Sequence, residues 1–483
     1  MRQTHFLSFS ARFQPLIDVP AGIDLLQGGI SRGAFHNSSD RYDPPKCHPD
    51  TRLAVLEAIM AWIKDGQKTS FIMWLHGSAG AGKSAIAQTI ADMCHRLGIL
   101  AASFFWARAE PSRNDETRLI ASLAYQLIVA IPEMRVYVTN AIENDPSLLA
   151  RSLEAQMESL IVKPLQKAFP RPHEGPGDHL HPKLIILDGL DECGSPRAQR
   201  YILKVISTAV QKFPIPLVFL IASRPEQEIR DSFSAESLNP ITTRLALDET
   251  YHPDDDIRLF LVQSFDALKR THAHRSLLPP IWPTAGEVNQ LVVTSSGQFI
   301  YAATVVKFIR SPRHKPDERL KIIFGLANTA NHTPFADLDA LYHHIFSSVE
   351  DLPRALELLS FCFLIDTRIT FPRTADNLEW FLWYESGDLQ LILMDLRSVL
   401  DVPDIGNKNH ELRVLHATLG DFLMNPARSG KFYLDKGKAH AQLTRVVLRY
   451  YREGHSDPEP SDYNVNCTVS FSSSHKLQSH SPT

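Results

Sequence analysis

Cysteine is scarce in this chain of 483 residues: there are five, an odd and widely scattered set (Cys47, Cys94, Cys193, Cys362, Cys467). None forms a CxxC pair or a Cys/His spacing, which excludes a zinc ribbon or a disulfide framework and reads as reduced thiols in the cytoplasm. Long apolar runs are missing too. Nothing approaches the roughly 20 residues of a membrane span, so no membrane partner is expected. The first ten residues hold no continuous apolar stretch of signal-peptide length, although Arg2 and Arg12, with no acid before Asp18, leave a transit peptide as the competing reading. Neither sign of charge dominates: 50 Lys and Arg face 54 Asp and Glu, for a net charge of -4. That balance disfavours nucleic acid or an anionic membrane surface as a bulk partner. Internal repeats are absent. What is there, 44% hydrophobic and 22% charged residues, suits a soluble globular chain of about three domains.

The most informative stretch is Gly77-Ser78-Ala79-Gly80-Ala81-Gly82-Lys83-Ser84, a full match to G-x-x-x-x-G-K-[ST]. An apolar run precedes it and an amphipathic helical pattern, starting at Ala85, follows it. Strand, glycine-rich turn and helix start make an anion cradle, because free amides there point at phosphates. Lys83 is then expected to reach the β- and γ-phosphates and Ser84 to sit on Mg²⁺.

A second signal is Leu184-Ile-Ile-Leu187-Asp188-Gly-Leu-Asp191-Glu192. Four aliphatics read as a strand buried on both faces, delivering Asp188 to the sheet edge where α/β folds bind ligands. Asp188 is the expected Mg²⁺ partner of Ser84, and Glu192, ahead of Asp191, is the expected water-polarising carboxylate. A third apolar run, 217–222, ends in Ser223 and Arg224. Arg224 is read as a catalytic γ-phosphate contact, with pairing to a surface acid as its alternative. ATP/ADP is favoured over guanine nucleotides because no [NT]-K-x-D sequence occurs; the D-x-x-G at Asp191 is three residues out of register.

Strand and helix patterns alternate from 46 to about 250, as a parallel sheet requires. Strands are expected at 71–75, 101–105, 183–187, 217–222 and 243–247, with helices at 116–131, 152–169 and 197–212. The Pro/Gly-rich stretch from Pro170 reads as a surface loop. Residues 1–45 read as a weakly structured lead-in, 251–335 as a helical region, 336–452 as helices with short strands such as 413–416, and 453–483 as a disordered tail.

Several stretches occur in one order: Cys47-His-Pro-Asp-Thr51-Arg52, the P-loop, Leu119-Ile-Ala-Ser-Leu-Ala-Tyr-Gln-Leu127, LIILDGLDEC, ASRPE, Gly297-Gln-Phe-Ile-Tyr-Ala-Ala303, Leu338-Asp-Ala-Leu-Tyr342 and Val414-Leu-His416-Ala-Thr-Leu-Gly-Asp421-Phe-Leu423. Together they resemble the NACHT domain of the STAND class of signal-transducing P-loop NTPases, in the form common in fungi. The resemblance spans roughly 46 to 450. It implies an α/β P-loop NTPase core (46–250), a helical lid (251–335) and a winged-helix-like domain (336–452). It further implies an NLR-like switch in which ADP locks the winged helix against the core, and ATP releases it to form a homo-oligomer with other protein partners. By that resemblance His416 contacts the ADP phosphate; its competing reading is a satisfied core histidine. Thr51 and Arg52 lie where relatives approach the nucleotide, or else serve as a cap and a surface charge. The chain departs from the pattern at Phe299, where relatives carry a lid proline, and at His416-Ala-Thr-Leu419 instead of His-x-Ser-Phe. It also lacks the C-terminal sensor repeats of relatives, as a repeat-free member or a truncated product.

The leading expectation is an ATP-binding, slowly hydrolysing signal-transduction switch. Its alternatives are a cycling ATPase or phosphotransferase, a DNA-binding regulator, and a nucleotide-bound scaffold that does not hydrolyse.

Overall fold

Five short runs, four of them almost wholly apolar, build the sheet. A computed structural model, describing residues 22–41, 43–170, 182–326, 335–364, 373–403 and 410–452, has strands β1 (Ile72–His76), β2 (Leu100–Phe105), β3 (Lys183–Asp188), β4 (Leu217–Ser223) and β5 (Thr242–Ala246). Each lies within a residue of its expected position. All pair in parallel, in the order β2-β3-β4-β1-β5. Parallel strands need cover on both faces, and alternate residues supply it. Trp74, Ile185, Leu187, Phe219 and Ile221 pack into one core, while Met73, Leu75, Ile186, Val218 and Leu220 pack into the other. Because β4 lies between β1 and β3, its C-terminal end opens between the turn after β1 and the carboxylate that closes β3.

Helices Leu53–Lys64, Lys83–Arg96, Leu119–Ala130 and Pro196–Val210 cover the sheet. The helix expected over 152–169 is interrupted: α-helical Leu153–Met157 and Lys163–Ala168 flank a π-turn, Glu158–Val162. Pro164 has no N–H to give the preceding turn, and the wider turn absorbs that loss, with Lys163 N–H donating to the Glu158 carbonyl.

The lead-in departs from expectation. Gly22–Gly29 is a helix, followed by single turns at Arg32–Ala34 and Ser39–Arg41. Leu26, Ile30 and Ala34 enter the same core as the sheet, and Ser31 N–H donates to Ser122 Oγ at 2.8 Å. Burying those three apolar residues orders a segment whose turn formers suggested otherwise. Residues 1–21, most of the loop after Pro170 and the tail 453–483 lie outside the described residues.

From Pro253 onward the chain is helical, with helices including Pro253–Thr271, Ala285–Ser295, Phe299–Ile309, Ala336–Ser347 and Leu352–Leu364. One two-stranded antiparallel pair, β6 (Leu400–Asp401) and β7 (Arg413–Val414), precedes the short helix Ala417–Leu423. The strand expected over 413–416 is thus two residues long, and His416 becomes the N-cap of that helix. A single apolar core runs from Ile257 to Ala439, across the expected border near 335. Among the described residues, no single helix is long and apolar enough to cross a membrane.

Leu26 has no exposed surface. Leu26→Ala is expected to destabilise the fold by about 2–5 kcal/mol, seen as a lower urea midpoint at unchanged slope. A change within about 0.5 kcal/mol would mean the lead-in is not part of the core.

Candidate functional site

The aliphatic run of β1 ends at His76, and the next eight residues turn the chain into the helix Lys83–Arg96. Gly82, at φ +96°, is that helix's N-cap, leaving its first amides unpaired toward the turn. Gly80, at φ +78°, admits a neighbour that no side chain would allow: a Cβ there would stand 2.1 Å from Ile300 Cγ2. Ile300 N–H also donates to the Gly80 carbonyl at 3.3 Å. The helical half is therefore seated directly on the glycine-rich turn.

Ala79, Gly80, Gly82, Lys83, Ser84 and Ala85 line a cavity of about 570 Å³, shared with Asp188, Asp191, Glu192, Arg224 and His416. That volume is in the range of small-molecule sites. Gly77, Ser78 and Ala81 stand behind the lining. Lys83 Nζ folds back to donate to the Gly77 and Ser78 carbonyls at 2.9 and 2.8 Å, and the Ala81 carbonyl accepts from Arg52 Nη2 at 3.0 Å. Burial lowers the Lys83 pKa, partly offset by Asp191.

Asp188 is 4% exposed and is hydrogen-bonded by Ser84, yet its Oδ1 has no partner. Burial pushes its pKa up to about 6, against the pull of Ser84, Arg41 and Lys83. An unsatisfied buried carboxylate oxygen beside a hydroxyl is the hard-oxygen donor set that suits a divalent cation. Past Gly189, at φ +79°, a single turn sends Asp191 and Glu192 different ways. Glu192 Oε2 accepts from the Arg108 backbone N–H at 3.1 Å, and burial, reinforced by the Asp191 charge, raises its pKa to about 7.

Asp191 has both oxygens engaged. Oδ1 accepts from the Arg224 backbone N–H at 2.9 Å, and Oδ2 lies 3.1 Å from Arg224 Nε. Its geometry is that of an anchor for Arg224, which leaves Glu192 as the carboxylate with acceptor capacity to spare. Arg224 in turn reaches across to the helical half, with Nη1 2.7 Å from Asp421 Oδ2.

His416 lines the same cavity from the opposite wall, its Nε2 buried and without a partner. Burial, with Lys307 nearby, lowers its pKa to about 3, so the ring is neutral at ordinary pH. The two residues ahead of the helix Leu53–Lys64 also differ. Thr51 is spent locally, its hydroxyl donating to the His48 carbonyl at 2.7 Å. Arg52, buried in the left-handed region at φ +59°, stacks over Phe299 at 4.7 Å while holding Ala81.

Sequence reasoning passed over Asp421, Arg108 and Arg41. Asp421 sits in the stretch quoted for His416, five residues on, one helical turn deeper. Arg108 follows β2 at the same sheet edge as the other charges, a placement that strand position alone could have flagged. Arg41 is buried, stacked 3.7 Å over Phe105 and bonded to Gln88 Oε1 at 2.7 Å; it belongs to the lead-in read as weakly structured.

A family model described as Nephrocystin 3, N-terminal, matches residues 53–224, from the helix ahead of the P-loop to Arg224. No curated protein matches the chain. Two solved structures of Drosophila ORC with Cdc6, on GC-rich and on AT-rich DNA, align over 93% of this chain. They cover 77% and 69% of those chains, at 10% identity and a TM-score of 0.27. At that score the alignment says nothing of what this chain binds. The P-loop and the sheet make the core a P-loop NTPase fold, with a nucleotide-binding turn at its edge.

Asp188 and Glu192 have pKa values raised above 3.8 and 4.5, so folding favours their protonated forms. Their contribution is complete below those ordinary values and is lost as pH rises through about 6 and about 7. In EDTA, Asp188→Asn is expected to lose less stability than the parent between about pH 4 and pH 6 in denaturant titrations. Equal losses would place Asp188 in water.

Proposed function

We propose that this chain binds ATP and ADP with Mg²⁺ in the cavity above the glycine-rich turn, and works as a slowly hydrolysing conformational switch. One observation carries the reading: phosphate-binding groups of the core and an unpartnered histidine of the helical half face one cavity. A ligand spanning both halves biases their relative arrangement, which is how a bound nucleotide becomes a signal. The resemblance to NACHT domains of the STAND class points the same way. It reads 251–335 as a lid and 336–452 as a winged-helix-like domain, and adds assembly into a homo-oligomer when ATP replaces ADP.

In this reading the amides after Gly82 hold the β-phosphate, and Lys83 leaves the Gly77 and Ser78 carbonyls for the phosphates. Ser84 and Asp188 are the residues that would hold Mg²⁺, whose chemistry when bound is to neutralise charge on the phosphate oxygens. Glu192, with a pKa near 7, accepts a proton from the water that attacks the γ-phosphorus, as a base poised near working pH does best. Arg224 meets the charge that develops on the γ-phosphate. His416 donates from its neutral ring to the phosphate of ADP and holds the closed arrangement. A switch of this kind has no need of the 1–100 s⁻¹ turnover typical of kinases.

The test is to purify the full chain gently, denature it and identify the released nucleotide by chromatography. Near-stoichiometric ADP is the expected result; an empty site with rapid multiple-turnover hydrolysis would replace the switch by a cycling ATPase. Lys83→Ala is expected to abolish nucleotide retention. Glu192→Gln is expected to retain ATP and to slow hydrolysis by at least about 10²-fold. Hydrolysis at the parent rate would move the base elsewhere.

A further inference from the structure

Two guanidinium groups from different strand ends of the core converge on one carboxylate of the helical half. Arg224, at the end of β4, reaches Asp421 Oδ2 at 2.7 Å; Arg108, after β2, reaches Asp421 Oδ1 at 3.2 Å. Neither arginine is idle otherwise. Arg224 is braced by Asp191 through both its backbone N–H and Nε, so only its outer nitrogens are offered. Arg108 also gives Nη2 to the Asp191 carbonyl at 3.3 Å. Asp421 and Arg224 are only 18% and 20% exposed, which limits screening by water. Both arginines line the cavity shared with Lys83, as do Thr418 and Gly420 of the helix that carries Asp421.

A carboxylate received by two forked donors presents the charge and acceptor pattern of a terminal phosphate. We infer that Asp421 stands in for a third phosphate, so that the closed arrangement of this chain selects nucleoside diphosphate over triphosphate. The inference rests on the nucleotide reading given above and adds the residue that sets the preference between the two nucleotides. A diphosphate leaves Arg224 and Arg108 with Asp421. A triphosphate brings a second anion to guanidinium groups already taken, and it binds only as Asp421 withdraws. The helix Ala417–Leu423 packs Leu419, Phe422 and Leu423 into the core of the helical half, so withdrawal of Asp421 moves that half and not one side chain. Asp421 is thereby a specificity-determining residue that acts through the two arginines.

The experiment measures the affinities of the purified full chain for ADP and for a non-hydrolysable ATP analogue, by calorimetry in Mg²⁺. In Asp421→Asn the ratio of analogue affinity to ADP affinity is expected to rise about tenfold or more. Asp421→Glu, which keeps the charge, is expected to hold the ratio near that of the parent, an outcome a purely steric role would not give. Asp421→Ser, a second charge-removing variant, repeats the test should the asparagine protein fail to fold. An unchanged ratio in both neutral variants overturns the inference while leaving the nucleotide site intact. A parent protein that binds neither nucleotide overturns the nucleotide reading, and the inference with it.

Discussion

The insertion of β4 between β1 and β3 is the constraint on which the site depends. It separates the P-loop from Asp188 by one strand width and fills the gap with the end of β4, where Arg224 emerges. Cations and carboxylates are thereby gathered at one sheet edge, where partial burial strengthens the effect of each charge on its neighbours. Lys83, lodged on two carbonyls, and Asp188, with one bare oxygen, are the consequences. The bare oxygen of Asp188 is a buried polar atom left without a hydrogen bond, an arrangement that costs stability unless something completes it.

The second half of the chain matters as much as the sheet. Ile300 leans on Gly80, Arg373 Nη2 donates to the Ala109 carbonyl at 2.7 Å, and the Asp256 carboxylate accepts from Arg52 N–H at 3.1 Å. These contacts cross between regions far apart in sequence, and each involves at least one residue that lines the same cavity. The helical region is therefore a wall of the site.

Much of the core was legible because its signals are local. Four consecutive aliphatics at 184–187 can only be a strand covered on both sides, and a glycine-rich turn followed by Lys83 and Ser84 has few other uses. What could not be read are pairings across distance. Nothing near Arg224 in the sequence says that its partners are Asp191 and Asp421, or that Asp191 is consumed in bracing it. The lead-in was misjudged because Leu26, Ile30 and Ala34, spaced every four residues, were outweighed by the turn formers around them. The two-residue β7 shows the opposite error: an apolar run suggested a longer strand, but the chain turns at His416 to start a helix. His416 itself was placed at the cavity by resemblance, and the bare Nε2 there is something no composition or periodicity could supply.

The single apolar core that joins described residues from Ile257 to Ala439 has a mechanical meaning. Helices that share one interior resist sliding past one another, because any shear opens voids among close-packed side chains. The region is therefore one packed body, joined to the sheet through the short stretch between β5 and the helix Pro253–Thr271. Ile300 on Gly80, Arg373 on Ala109 and Asp421 on Arg224 are three points at which that body grips the other half of the chain. A shift at any one of them is therefore resisted by packing that bears on the other two.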